Sequence, residues 1–96
     1  MPAYILFTRE SDVRDAAEMQ RYVNKATAIP NKSGAKPLVI YGHMEALEGK
    51  APHAIVLLEF ASPEDAKAWY HSPEYQAAAA HRKKAADFRV TLVEGI

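Results

Sequence analysis

Ninety-six residues place the chain near the small end of single domains (1–96), where only roughly 60 to 70% of the unfolded surface is buried and a partner adds useful stability. Twelve basic and twelve acidic side chains cancel, so the field that draws a protein onto nucleic acid or an anionic membrane is missing, and neither partner is expected. The absence of cysteine excludes disulfides, thiolate nucleophiles and Cys-ligated metal centres, and suits a cytoplasmic protein.

The first element is the apolar run Ala3 to Phe7, a short strand ending at Thr8, Arg9 and Glu10. Ser11 then offers a cap to a helix in which Ala16, Met19, Tyr22, Val23 and Ala26 recur every three or four residues, giving one apolar stripe and a charged outer face. Pro30 disfavours helical geometry at Ile29, so this helix should end or kink before Asn31, with Gly34 closing the turn. Pro37 to His43 reads as the second strand, with a bend or bulge at Gly42 and a continuation toward Leu47. Gly49 and Pro52 mark a turn, and Ala54 to Phe60 forms a third strand paired antiparallel with the second.

Two copies of Ser-Pro-Glu follow, at 62–64 and 72–74. Each combines an N-cap serine, a proline suited to the first helical position and an acid at the positive end of the helix dipole. The second helical position of the fold is therefore broken in two, with helices from Pro63 to about Tyr70 and from Pro73 to about Ala86. Phe88 to Glu94 supplies the last strand. The order β, α, β, β, α plus α, β predicts an α+β chain with a ferredoxin-like antiparallel sheet and its helices on one face. Yet Ile5-Leu6-Phe7, Leu38 to Tyr41 and Ile55 to Leu58 are apolar at consecutive positions, so both sheet faces need covering. A homodimer joined through the free sheet face answers that need, and its burial, at roughly 25 cal/mol per Å², supplies stability that a lone small domain lacks.

Met-Pro-Ala-Tyr at the start, Met-Glu-Ala-Leu-Glu-Gly at 44–49, Leu-Glu-Phe at 58–60, Asp-Ala-Lys-Ala-Trp-Tyr at 65–70, Ser-Pro-Glu-Tyr-Gln at 72–76 and Val-Glu-Gly at 93–95 come in a specific order and spacing. Together they resemble the DUF1330 family of the dimeric α+β barrel superfamily, over nearly the whole chain. Pro30 and the His-Met-Glu sequence after Gly42 depart from the commoner pattern. The resemblance implies a dimer whose two sheets enclose a barrel, with small pockets between sheet and helices, and it names no reaction.

Arg9, His43 and Glu59 are the polar candidates for chemistry. Glu59 lies in the apolar run Leu57-Leu58-Glu59-Phe60, where an unpaired carboxylate is costly, so it should meet Arg9 or Arg89, or reach the sheet edge. His43 and Glu45 share one side of the second strand if that strand continues, with Tyr41 beside them. The four histidines form no His-x-His or His-x-x-x-His pair, so neither a metal nor a cofactor is expected. Trp69, Tyr70 and Tyr75 surround the break between the last two helices and serve first as core anchors. The amide end of the third helix at Ser72 to Tyr75, beside those rings, also suits a carboxylate or phenolate. Tyr41, Trp69, Ser72 and Tyr75 are thus the ligand-binding candidates. His81 to Lys84 reads as a solvated basic face complementing the helix dipole.

The composite expectation is a homodimer binding a compact, partly apolar molecule in a pocket beside the sheet. One alternative is a cofactor-independent enzyme, monooxygenase-like or isomerase-like, using Arg9, His43 or Glu59. Met1 blocks the Pro2 amine that a proline-based isomerase would use, and Asn24 and Asn31 are misplaced for the strand-one asparagine of haem-degrading relatives. The other alternative is a dimerisation module with no ligand.

Overall fold

A computed structural model describes residues 1–30 and 34–96 of the chain; Asn31 lies outside them. The described elements are β1 (Ala3–Arg9), α1 (Ala16–Thr27), β2 (Lys36–Ile40), β3 (Ala54–Phe60), α2 (Pro63–Tyr70), α3 (Pro73–Ala85) and β4 (Phe88–Glu94). The strands form one sheet in the order β2-β3-β1-β4, every neighbouring pair antiparallel. This is the α+β ferredoxin-like arrangement. The two strands that open and close the chain lie side by side, with Ala3 opposite Glu94 and Arg9 opposite Phe88.

Alternation along the strands sets the two faces. Ala3, Ile5 and Phe7 of β1 and Leu58 and Phe60 of β3 are buried under the helices with Ala66, Tyr75 and Ala79. Their in-between neighbours Tyr4, Leu6, Ile55 and Leu57 are half-buried and turn to the opposite face, where Val93 is 50% exposed. No element of this chain covers that second face among the described residues. It is the doubly apolar character of the strands made visible.

Both Ser-Pro-Glu starts form as the sequence predicts. The Ser62 hydroxyl accepts from the Asp65 amide at 3.1 Å and the Ser72 hydroxyl from the Tyr75 amide at 3.2 Å, with a proline in each first turn. The Ser72 hydroxyl also donates to the Trp69 carbonyl at 2.8 Å, tying the end of α2 to the start of α3.

Two local readings are corrected. The cap of α1 is Asp15, which accepts from the Glu18 amide, and not Ser11. Ser11 instead accepts from the Asp87 amide at 3.0 Å and fastens the segment leading into β4. The carboxylate wins because it caps at the helix's positive end, and the residues before Asp15 are then free to cross toward β4. At the other end α1 stops at Thr27, ahead of Pro30.

The second correction concerns β2, which ends at Ile40 and does not reach His43 or Leu47. Tyr41 adopts a left-handed φ of 52°, a conformation that breaks a strand and is uncommon for a residue with a side chain. The irregularity falls between Pro37 and Val39, where the register with β3 shifts, and not at Gly42. Pro37 has no amide to donate, so the ladder skips there. The chain from 41 to 53 is irregular, which makes the link to β3 far longer than a tight hairpin turn.

Candidate functional site

Around the junction of α2 and α3 the aromatic side chains separate into a packed group and an open one. Tyr75 has no exposed surface. Its ring lies 4.2 Å from that of Trp69, which in turn meets Phe60 at 5.6 Å and Phe7 at 6.3 Å. On the far side the hydroxyls of Tyr75 and Tyr22 are 3.0 Å apart, joining α3 to α1. Burial pushes both tyrosines above their ordinary range.

Arg82 closes this group from the next turns of α3. It is only 3% exposed, and its guanidinium lies 5.2 Å from the Phe88 ring, 5.9 Å from Phe7 and 6.0 Å from Tyr22. Its charge favours the ionised form of the nearby Tyr75 hydroxyl, against the larger upward push of burial. The reading of His81 to Lys84 as a solvated basic face therefore fails at Arg82, while Lys83 and Lys84 are exposed. The signal was present in the spacing: Tyr75, Ala78, Ala79, Arg82 and Ala86 recur at three- and four-residue steps and are all buried.

Tyr70, one residue after Trp69, faces open space instead. A cavity of about 260 Å³ lies between α2 and the β1–β4 side of the sheet, walled by Ile5, Ala66, Val90 and Leu92 with Lys67, Tyr70 and His71 around it. Helix length explains the gap. Eight residues of α2 rise only about 12 Å, whereas the seven residues of β4 run about 23 Å, and Ala66 at the contact fills little volume. A second, more open cavity of about 360 Å³ adjoins it, sharing Tyr70 and Val90 and reaching Arg82, Lys83, Asp87 and Phe88.

The residues singled out from the sequence are scattered by the fold. Trp69, Ser72 and Tyr75 come together at the helix junction, with the Tyr75 amide already taken by Ser72. Tyr41 is half exposed beyond the end of β2, its amide bonded to the Ile55 carbonyl at 3.0 Å. His43 is exposed in the irregular segment, as is Glu45, so the shared strand face expected for them does not form. Arg9 donates to the Ser11 carbonyl at 2.7 Å.

Glu59 meets neither arginine. It stands opposite Tyr4 and Lys36 at one end of the sheet, whereas Arg9 is paired with Ala54 and Arg89 with Thr8 at the other. Its carboxylate lies across the ladder from Tyr4 and pushes the Tyr4 pKa up. Strand register decides this, and register is invisible to a residue-by-residue reading. Tyr70 was read from the sequence as a core anchor, and His71, Ala66 and the β4 residues Val90 and Leu92 were not singled out as site residues, because their common feature is unfilled space. Among the described residues no group of three or more His, Asp or Glu side chains is placed to hold a metal ion. Among the described residues no helix is long and apolar enough to cross a membrane.

Residues 2–96 match the family described as a domain of unknown function, DUF1330. No curated protein matches the sequence. Among solved structures, a protein of unknown function from Rhodopseudomonas palustris is 19% identical with a TM-score of 0.72, over 99% of this chain and 82% of that one. A dimeric ferredoxin-like protein of unknown function from Bacteroides fragilis is 17% identical, with a TM-score of 0.62 over 98% and 96% of the two chains. A candidate antibiotic biosynthesis monooxygenase from Caulobacter crescentus is 16% identical, with a TM-score of 0.65 over 99% and 90%. At these identities the likeness is one of fold.

Proposed function

The chain belongs to the DUF1330 family, and we propose that it acts as a homodimer in which each subunit holds one small, partly apolar molecule in the cavity beneath α2. The observation that carries this reading is the cavity of about 260 Å³ with an apolar wall of Ile5, Ala66, Val90 and Leu92 and a polar rim of Lys67, Tyr70 and His71. Its volume is just under the range of about 300 to 1,000 Å³ usual for ligand pockets, and the adjoining cavity extends it. An apolar wall selects by shape, and a few polar groups at the rim orient the ligand. The dimer is supported by the uncovered sheet face carrying Leu6, Ile55, Leu57 and Val93, and by the dimeric state of the Bacteroides fragilis protein.

A second reading, a cofactor-independent enzyme, is favoured by one feature: His71 stands at the rim of the apolar cavity, and histidine is the side chain most often used as a general acid or base. Arg9, His43 and Glu59 do not border that cavity.

Filling the space tests the binding reading. Ala66→Leu extends an apolar side chain from the cavity wall, and should abolish binding of small aromatic compounds detected by ligand-observed NMR. Unchanged binding in a folded Ala66→Leu protein would move the ligand elsewhere. Turnover of a bound compound that disappears in His71→Ala with binding intact would favour the enzyme. Light scattering at micromolar concentration should give the mass of two chains, and a monomer would remove the dimer.

A further inference from the structure

Arg82 is a full positive charge with 3% of its surface exposed, and no ion pair among the described residues includes it. Its neighbours are the faces of Phe7, Tyr22 and Phe88 and the Tyr75 hydroxyl, all neutral. Its Nε–H is buried and has no hydrogen-bond partner. A buried cation without an anion is costly, and a buried donor left unpaired adds to that cost. Aromatic faces offset part of it. The remaining charge calls for an anion, and Arg82 borders the larger cavity.

The other charged groups there do not oppose one. Lys83 is basic, and the one acid, Asp87, is already held by Arg14 at 3.0 Å. Tyr70 and Val90 line both that cavity and the apolar one walled by Ile5 and Leu92. A polar cavity and an apolar one thus lie side by side.

We infer that Arg82 anchors the carboxylate of the ligand, a small monocarboxylic acid whose compact apolar body passes between Tyr70 and Val90 into the cavity beneath α2. The inference rests on that cavity being the binding site and names the class of molecule it takes. A carboxylate suits the guanidinium because its two oxygens match the planar donor fork, including the Nε–H.

Benzoate and its neutral isostere benzamide, titrated into ¹⁵N-labelled protein, test the anchor and the cavity separately. The Arg82 Nε–H resonance, assigned by its loss in Arg82→Lys, reports the anchor; the amides of Ala66 and Leu92 report the cavity. Benzoate should move both sets and bind about tenfold or more tightly than benzamide, the scale of one charge-assisted hydrogen bond. Equal affinities with cavity amides shifting and Arg82 Nε–H still would overturn the carboxylate anchor and leave the cavity reading standing. No shift from either compound at millimolar concentration would overturn both. In Arg82→Lys, which keeps the charge and loses the fork, benzoate should weaken about tenfold while benzamide is unchanged; if that variant does not fold, the wild-type comparison of acid with amide decides alone.

Discussion

Trp69 and Tyr70 are neighbours in sequence and opposites in surroundings. Trp69 packs between Phe60, Phe7 and Tyr75, while Tyr70 borders both cavities. On a helix adjacent residues point about 100° apart, so a single step moves from a ring enclosed by other rings to one that also lines open space. Two large aromatic residues in a row say that something is buried nearby. What separates core from cleft is the volume opposite each: Phe60 and Tyr75 against Trp69, and the small Ala66 with the end of a short helix beside Tyr70.

The contrast breaks most sharply at Tyr75. Tyr75→Ala removes the ring that Trp69, Phe7, Tyr22 and Tyr70 all contact and withdraws the hydroxyl partner of Tyr22. A loss of about 3 to 5 kcal/mol is expected by urea denaturation, the usual cost of emptying an aromatic core site. A loss under about 1 kcal/mol would mean that the packed side is no tighter than the open one.

A smaller effect is expected at the joint between the two regions. Ser72→Ala deletes both the cap of α3 and the bond to the Trp69 carbonyl, at about 1 to 2 kcal/mol. Hydrogen exchange should show the first turn of α3 opening before β1. Uniform protection across α3 would separate the cap from local order.

Acid should loosen the packed side first. Glu18 on α1 bonds His81 on α3 and pairs with Arg21 at 2.8 Å, and the His81 bond holds the Glu18 carboxyl below its ordinary 4.5. Because the folded pKa is lowered, the stabilisation is complete above the unfolded value and is lost as pH falls through the folded one. Stability measured between pH 6 and pH 3 should therefore fall less steeply in Glu18→Gln than in the parent. Parallel curves would remove Glu18 from acid unfolding. This is the smallest of the three effects, since the pair lies near the surface.

Much of the fold was legible from short patterns. The doubled Ser-Pro-Glu located both helix starts within one residue, because capping uses contacts between residues three apart. The same locality misled at Ser11, where Asp15 offered a better cap, and at Tyr41, where a positive φ ended β2. The site was far less legible. Glu59 joins Tyr4 through strand register, Arg82 is buried by Phe88 and Tyr22 from distant elements, and the cavity is defined by atoms that are not there. None of these is a property of neighbouring residues, although the helical stripe through Tyr75, Ala79 and Arg82 was available to be read.

Strand β1 divides the two surfaces on which the proposed ligand and the proposed second subunit depend. Ile5 points into the cavity and Leu6, the next residue, to the uncovered face. The partition is one backbone thick, and parity assigns every position to a side. Substitutions at Ile5, Leu58, Val90 or Leu92 can reshape the interior without touching the outer surface, and substitutions at Leu6, Leu57 or Val93 can do the reverse. Lineages that share this sheet are thus able to drift in what they hold while keeping how they assemble, and the two histories need leave no trace on each other.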